Sequence, residues 1–166
     1  MRQDRPGTLV LGIAPTTRGF GYAVFESIRL PVDWGVKEIR VDKNRQSLTR
    51  AAELFDRIKP ATLVLEDWWA AGRRSVRVRA LLRALGRSAC RQGIAVHGYS
   101  REAVCSVFAT HGARSKDDMA AAIVRQVPEL AACLPRRRRL WQSERYGMAV
   151  FEAVALVMTH YANGDD

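Results

Sequence analysis

Two apolar runs without alternation constrain this chain more than anything else in it: TLVLGIA (Thr8 to Ala14) and ATLVLE (Ala61 to Glu66). A strand with one wet face places a polar residue at every second position, so uninterrupted runs of this length suit strands buried on both faces. A helical pattern separates the two. The second strand should therefore join the first in parallel, through a crossover.

The other elements follow from periodicity and punctuation. Pro15 to Gly19 is read as a turn, and Phe20 to Phe25 (FGYAVF) and Gly35 to Val41 (GVKEIRV) as strands completing an antiparallel meander with the first. Between Lys43 and Lys59, Leu48, Ala51, Ala52, Phe55 and Ile58 recur at helical spacing up to Pro60. Ser75 to Gln92 reads as a long amphipathic helix with Val78, Leu81, Leu82, Leu85 and Ala89 on its buried stripe. Arg79, Arg83, Arg87 and Arg91 lie on the other side. Gly93 ends it, and Ile94 to Tyr99 is a fifth strand. Arg101 to Thr110 and Ser115 to Val127 are two shorter helices, the second with Ser115 as a cap and Asp117 and Asp118 in its first turn. A loop with Pro128, Pro135 and Arg136 to Arg139 leads to a last helix from about Ser143 to Tyr161. The expected fold is α/β, a mixed five-stranded sheet made of a three-strand meander plus two parallel strands, flanked by helices.

The 166 residues, 48% of them hydrophobic, suit a single domain spanning 1–166 with one core. Lys and Arg number 27 against 17 Asp and Glu, a formal net charge of +10, which favours a polyanionic partner and makes nucleic acid the leading class. Cys90, Cys105 and Cys133 are odd in number and form no CxxC pair, so neither a disulfide framework nor a zinc site is indicated. No apolar run has the length of a bilayer span; the expectation is a soluble, cytoplasmic protein without a membrane partner.

Four segments carry a resemblance. LGIAPTTRGFGYAVF (Leu11 to Phe25) resembles the opening hairpin of RuvC-type Holliday-junction resolvases, and LVLEDWW (Leu63 to Trp69) is similar to the strand that ends in their catalytic Glu. GARSKDDMAAAIV (Gly112 to Val124) resembles the segment that carries the family's Lys, and FEAVALVMTHY (Phe151 to Tyr161) its closing helix. The resemblance implies an RNase H-like fold, a dimer, and a crossover-junction endonuclease in which carboxylates hold two Mg²⁺ (or Mn²⁺) ions that drive an in-line phosphodiester displacement. On the matching positions, Glu66, Glu152 and Lys116 are the catalytic candidates. Glu66, Glu152, Glu144 and Asp118 are the metal-ligand candidates. The family pattern also breaks: Ala14 stands where the first Asp belongs, and Ala149 where the earlier acid of the last helix belongs. A methyl group ligates nothing.

Trp68 and Trp69 follow Glu66 on alternate faces, so one should pack inward and the other outward; the resemblance makes Trp69 the candidate for stacking on bases opened at a junction. Arg73, Arg74, Lys116 and the run Arg136, Arg137, Arg138, Arg139 are the candidate phosphate contacts. The combined expectation is a binder of branched or structured DNA, of Mg²⁺-dependent endonuclease type with weakened catalysis. The alternatives are an active endonuclease on DNA or RNA using the remaining acids, and a protein-interaction module without enzymatic activity. The actin-like ATPases share a Gly-rich opening strand and turn, but this chain is too short for their two-domain clamp.

Overall fold

A computed structural model describes residues 8–69, 74–134 and 146–164. Among them the order is β1 (Val10–Thr16), β2 (Gly19–Ser27), β3 (Leu30–Glu38), α1 (Lys43–Ile58), β4 (Thr62–Glu66), α2 (Val76–Arg91), β5 (Ala95–Tyr99), α3 (Arg101–Ala109), α4 (Lys116–Gln126), a 3₁₀ helix (Pro128–Cys133) and α5 (Tyr146–Asn163). The strands form one sheet in the order β3-β2-β1-β4-β5. β1, β2 and β3 are antiparallel neighbours, and β4 pairs in parallel with both β1 and β5. This is the mixed five-stranded α/β sheet expected from the two apolar runs.

Those runs lack alternation because each face of the sheet has its own cover. Leu11, Ile13, Leu63 and Leu65 pack with α1 and α2 residues such as Phe55, Leu81 and Leu85, while Val10, Ala14 and Val64 pack with Phe151, Val154 and Val157 of α5. The α2 stripe holds at Val78, Leu81, Leu82, Leu85 and Ala89, all buried. Ser75 caps the helix by accepting a hydrogen bond from the Val78 amide. On α1, Leu54 is buried with Ala51 and Phe55, whereas Ala52 is only half-buried, so the stripe is rotated slightly from its expected position.

Three expectations at the edges are corrected. Pro15 is not a turn residue: β1 continues through Thr16, and Pro15 pairs with Phe20. The parallel ladder to β4 runs only from Val10 to Gly12, so a proline beyond it removes no donor that β4 uses. The third strand is Leu30–Glu38, not Gly35 to Val41. It starts directly after a tight connection in which Ser27 pairs with Leu30, and it tolerates Pro31 because it is an edge strand. The segment after Val127, expected as a loop, opens with a 3₁₀ helix that has Pro128 in its first turn and buries Leu130.

α5 sits unusually close to the sheet. A Cβ on Gly12 would lie 2.6 Å from the Ala153 carbonyl oxygen, and one on Gly21 would lie 2.3 Å from the carbonyl of Ala149. Two glycines on neighbouring strands thus make the groove that receives the helix, and its approach brings residues 149 and 152 towards the strand ends.

Candidate functional site

The register gathers the family positions. β1 and β4 pair as Val10 with Thr62, Leu11 with Leu63 and Gly12 with Val64, and Ala14 and Glu66 each lie two residues beyond the last of these pairs, at the same end of the two strands. Glu66 shares the face of Val64, which α5 covers, because side chains alternate along a strand. Ala14 pairs across β2 with Gly21, and Gly21 lies under Ala149. Glu152 follows Ala149 by one helical turn. Two acids and two alanines therefore occupy the positions where the resemblance implies four acids.

Both acids have organic cations as partners. Arg74, just before α2, donates from Nε at 2.9 Å and from Nη2 at 2.8 Å to Oε2 of Glu66. Lys116, the first residue of α4, places Nζ 2.8 Å from Oε1 of Glu152. Ala14 and Ala149 are 4% and 6% exposed, so methyl groups packed against the fold fill the other two positions.

The described donors, Glu66 and Glu152, do not by themselves fit the implied metal pair. Mg²⁺ takes oxygen ligands in near-octahedral geometry, and a two-ion centre needs carboxylates that reach both ions. Among the described residues no group of three or more His, Cys, Asp or Glu is placed to hold a metal. Glu144, expected as a ligand, lies outside the described residues.

Asp118, also expected as a ligand, is engaged at the start of its own helix. Its Oδ2 accepts from the backbone amides of Arg114 (3.0 Å) and Ser115 (3.2 Å), while the Ser115 hydroxyl accepts from the Asp118 amide, a reciprocal capping box. The Arg114 amide, above all, holds the Asp118 carboxyl below the usual aspartate range. A depressed carboxyl stabilises the fold above its unfolded pKa and loses that contribution as pH falls through the folded value. The amide resonances of Arg114 and Ser115 should therefore stay put through the ordinary aspartate range and move only in stronger acid. An NMR titration checks this; movement centred near the ordinary aspartate value would show that the box is not formed.

The two indoles divide as expected. Trp68 packs against the α1–α2 face, next to Gly86, whereas Trp69 is 82% exposed and donates its backbone N–H to Oδ1 of Asp67 at 2.9 Å. Arg73 and Arg136, Arg137, Arg138 and Arg139 lie outside the described residues. Arg79 on α2 is half-buried, and Arg83, Arg87 and Arg91 are exposed.

Two groupings were not foreseen. Lys43 and Arg77, from the starts of α1 and α2, donate to the carbonyls of Thr17 (2.6 Å) and Thr16 (3.2 Å), and Arg77 also meets Asn44 at 3.1 Å. They brace the β1–β2 turn. Their targets are backbone oxygens, which no side-chain pattern reveals. At the other margin of α5, the Tyr99 hydroxyl lies 2.9 Å from Nδ1 of His160, whose ring is 4.8 Å from that of His97. Burial, with the neighbouring His97, holds His160 below the ordinary imidazole range. The closing His of the last motif thus ties the helix to the edge strand.

No family model and no curated protein sequence matches the chain. Solved structures do. The fold is similar to Thermus thermophilus RuvC in complex with a Holliday junction substrate, at TM-score 0.67 and 19% identity over 92% of each chain. It is equally similar to a further structure of Thermus thermophilus RuvC, at TM-score 0.66 and 19% identity, again over 92% of each. With the strand order and the α5 packing above, the likeness establishes that the chain has a RuvC-like fold of the RNase H-like class.

Proposed function

We propose that this protein binds branched or otherwise structured DNA, as a homodimer acting in the cytoplasm, and that its metal-dependent cleavage is weakened or lost. The observation that carries this reading is the pairing of Glu66 with Arg74 and of Glu152 with Lys116 on a RuvC-like frame, with buried Ala14 and Ala149 in the other two acid positions. The net charge of +10 supplies the attraction for phosphate, and the exposed indole of Trp69 offers a stacking face beside the strand ends. Guanidinium and ammonium groups recognise backbone shape rather than base edges, so selectivity should follow DNA geometry. Among the described residues no helix is long and apolar enough to cross a membrane.

Electrophoretic binding of a four-way junction, a duplex and a single strand at two salt concentrations tests the reading. The junction should bind tightest. If about six to ten phosphates are contacted, affinity should fall by roughly 10³ to 10⁵ between about 50 and 200 mM salt. Trp69→Ala should weaken junction binding by about 1–3 kcal/mol, the worth of one stacked base. Binding to none of the three substrates at low salt would leave the exposed indole to a protein partner and end the DNA reading. Incubation with Mg²⁺ or Mn²⁺ addresses the active-nuclease alternative: cleavage by the unchanged chain that Glu66→Gln abolishes would restore the enzyme. Cleavage equal in both would remove Glu66 from the site. Sedimentation equilibrium tests the dimer.

A further inference from the structure

Trp69 is 82% exposed, yet the backbone leading to it is held at each residue. Asp67 donates its backbone N–H to the Tyr99 carbonyl at 2.8 Å, so the hydrogen bonding between β4 and β5 runs one residue past the end of β4. Trp68 packs its ring over Gly86 of α2, where a Cβ would lie 3.8 Å from the ring's Cη2. The Asp67 side chain then reaches forward: Oδ1 accepts the Trp69 N–H at 2.9 Å, the turn that aspartate and asparagine side chains make with the backbone two residues on. β5 leaves room for this arrangement with a glycine, since a Cβ on Gly98 would stand 3.3 Å from the Asp67 Cα and 3.5 Å from its Cβ. Among the described residues no cation is paired with the Asp67 carboxylate.

We infer that Asp67 is a positioning residue for Trp69: its carboxylate fixes the backbone from which the exposed indole projects, so that the stacking face is ordered before DNA arrives. This rests on the DNA-binding reading and deepens it by naming what aims the indole. With the backbone held at residues 67, 68 and 69, the ring keeps only its own side-chain torsions. The entropy cost of ordering that backbone then falls on folding rather than on binding, and a base that stacks on the indole keeps more of its stacking energy. Asp67 touches no base in this arrangement; it acts through the hydrogen bond to its neighbour's amide.

The test compares Asp67→Asn with Asp67→Ala in the full chain. Both remove the same negative charge, so the attraction for phosphate changes alike, and only asparagine keeps an oxygen that accepts from the Trp69 amide. In the free protein, ¹⁵N relaxation should give the Trp69 amide an order parameter of about 0.85 in the unchanged chain and in Asp67→Asn, falling below about 0.6 in Asp67→Ala. On a four-way junction, Asp67→Ala should bind about tenfold more weakly than Asp67→Asn, the cost of ordering the backbone of one residue on binding. The difference should vanish when Trp69→Ala is added to both, since Asp67 acts through the indole. A purely structural role would leave the difference in place there. Such persistence, equal junction affinity of the two variants beside an intact Trp69, or an unchanged Trp69 order parameter in Asp67→Ala would overturn the inference while leaving DNA binding standing. Trp69→Ala without effect on junction affinity would remove the stacking face from the DNA-binding reading, and the inference with it.

Discussion

Replacing Gly21 with alanine is expected to destabilise the protein by about 3 kcal/mol or more, the upper end of what overpacking costs. The added Cβ would lie 2.3 Å from both the carbonyl carbon and oxygen of Ala149 and 2.8 Å from its Cβ. Two of those atoms are backbone in the interior of a helix, so no rotamer change relieves the clash. α5 has to lift as a unit, and with it Phe151, Val154 and Val157, all fully buried. For a domain of this size the loss corresponds to a fall in Tm of roughly 6–12 °C. Gly12→Ala should behave alike, since its Cβ would meet the Ala153 oxygen at 2.6 Å and a Val157 methyl at 2.7 Å. Gly93→Ala is the control. That residue has φ +75° but nothing within 4 Å of the new atom, so only the left-handed backbone resists, at about 1 kcal/mol. Urea denaturation followed by circular dichroism ranks the three; a cost for Gly21→Ala no larger than for Gly93→Ala would mean that α5 does not rest on β2.

Ala14→Asp, which places in β1 the acid that the resemblance implies there, is expected to cost about 3–5 kcal/mol in EDTA, the range for a buried charge left without a partner. Ala14 is 4% exposed under α5, and the carboxylate it would neighbour, Glu66, already has Arg74 as its partner. Burial and the like charge both raise the new carboxyl's pKa. Its penalty is therefore full at neutral pH and shrinks as pH falls through that raised value. Mn²⁺ should recover part of the lost Tm in the variant and leave the unchanged chain where it was, because a ligand stabilises only the state that binds it. Equal stabilisation of both chains by Mn²⁺ would show that the existing donors hold a metal after all. Junction cleavage appearing only in the variant would identify the chain as a nuclease weakened at this position.

Much of the site was legible only as positions. The order of the four motifs located residues 14, 66, 116, 149 and 152, but not what each acid would bind. Arg74 was read as a phosphate contact and Glu66 as a metal ligand, and the structure pairs them. Partners so separated along the chain are chosen after β4, α2, α4 and α5 have packed, which no local pattern encodes. Asp118 shows the reverse. Its place in the first turn of α4 was visible from Ser115, and the capping box is a local hydrogen-bond pattern.

By itself the sequence determined what local physics determines. Burial on both faces marked β1 and β4, and a period of 3.6 marked the α2 stripe. Tertiary structure decided where β3 begins, that Pro15 stays within β1, which indole faces solvent and which cations hold the two acids. Those outcomes depend on which surfaces are adjacent, and adjacency is a property of the packed chain rather than of any segment in it.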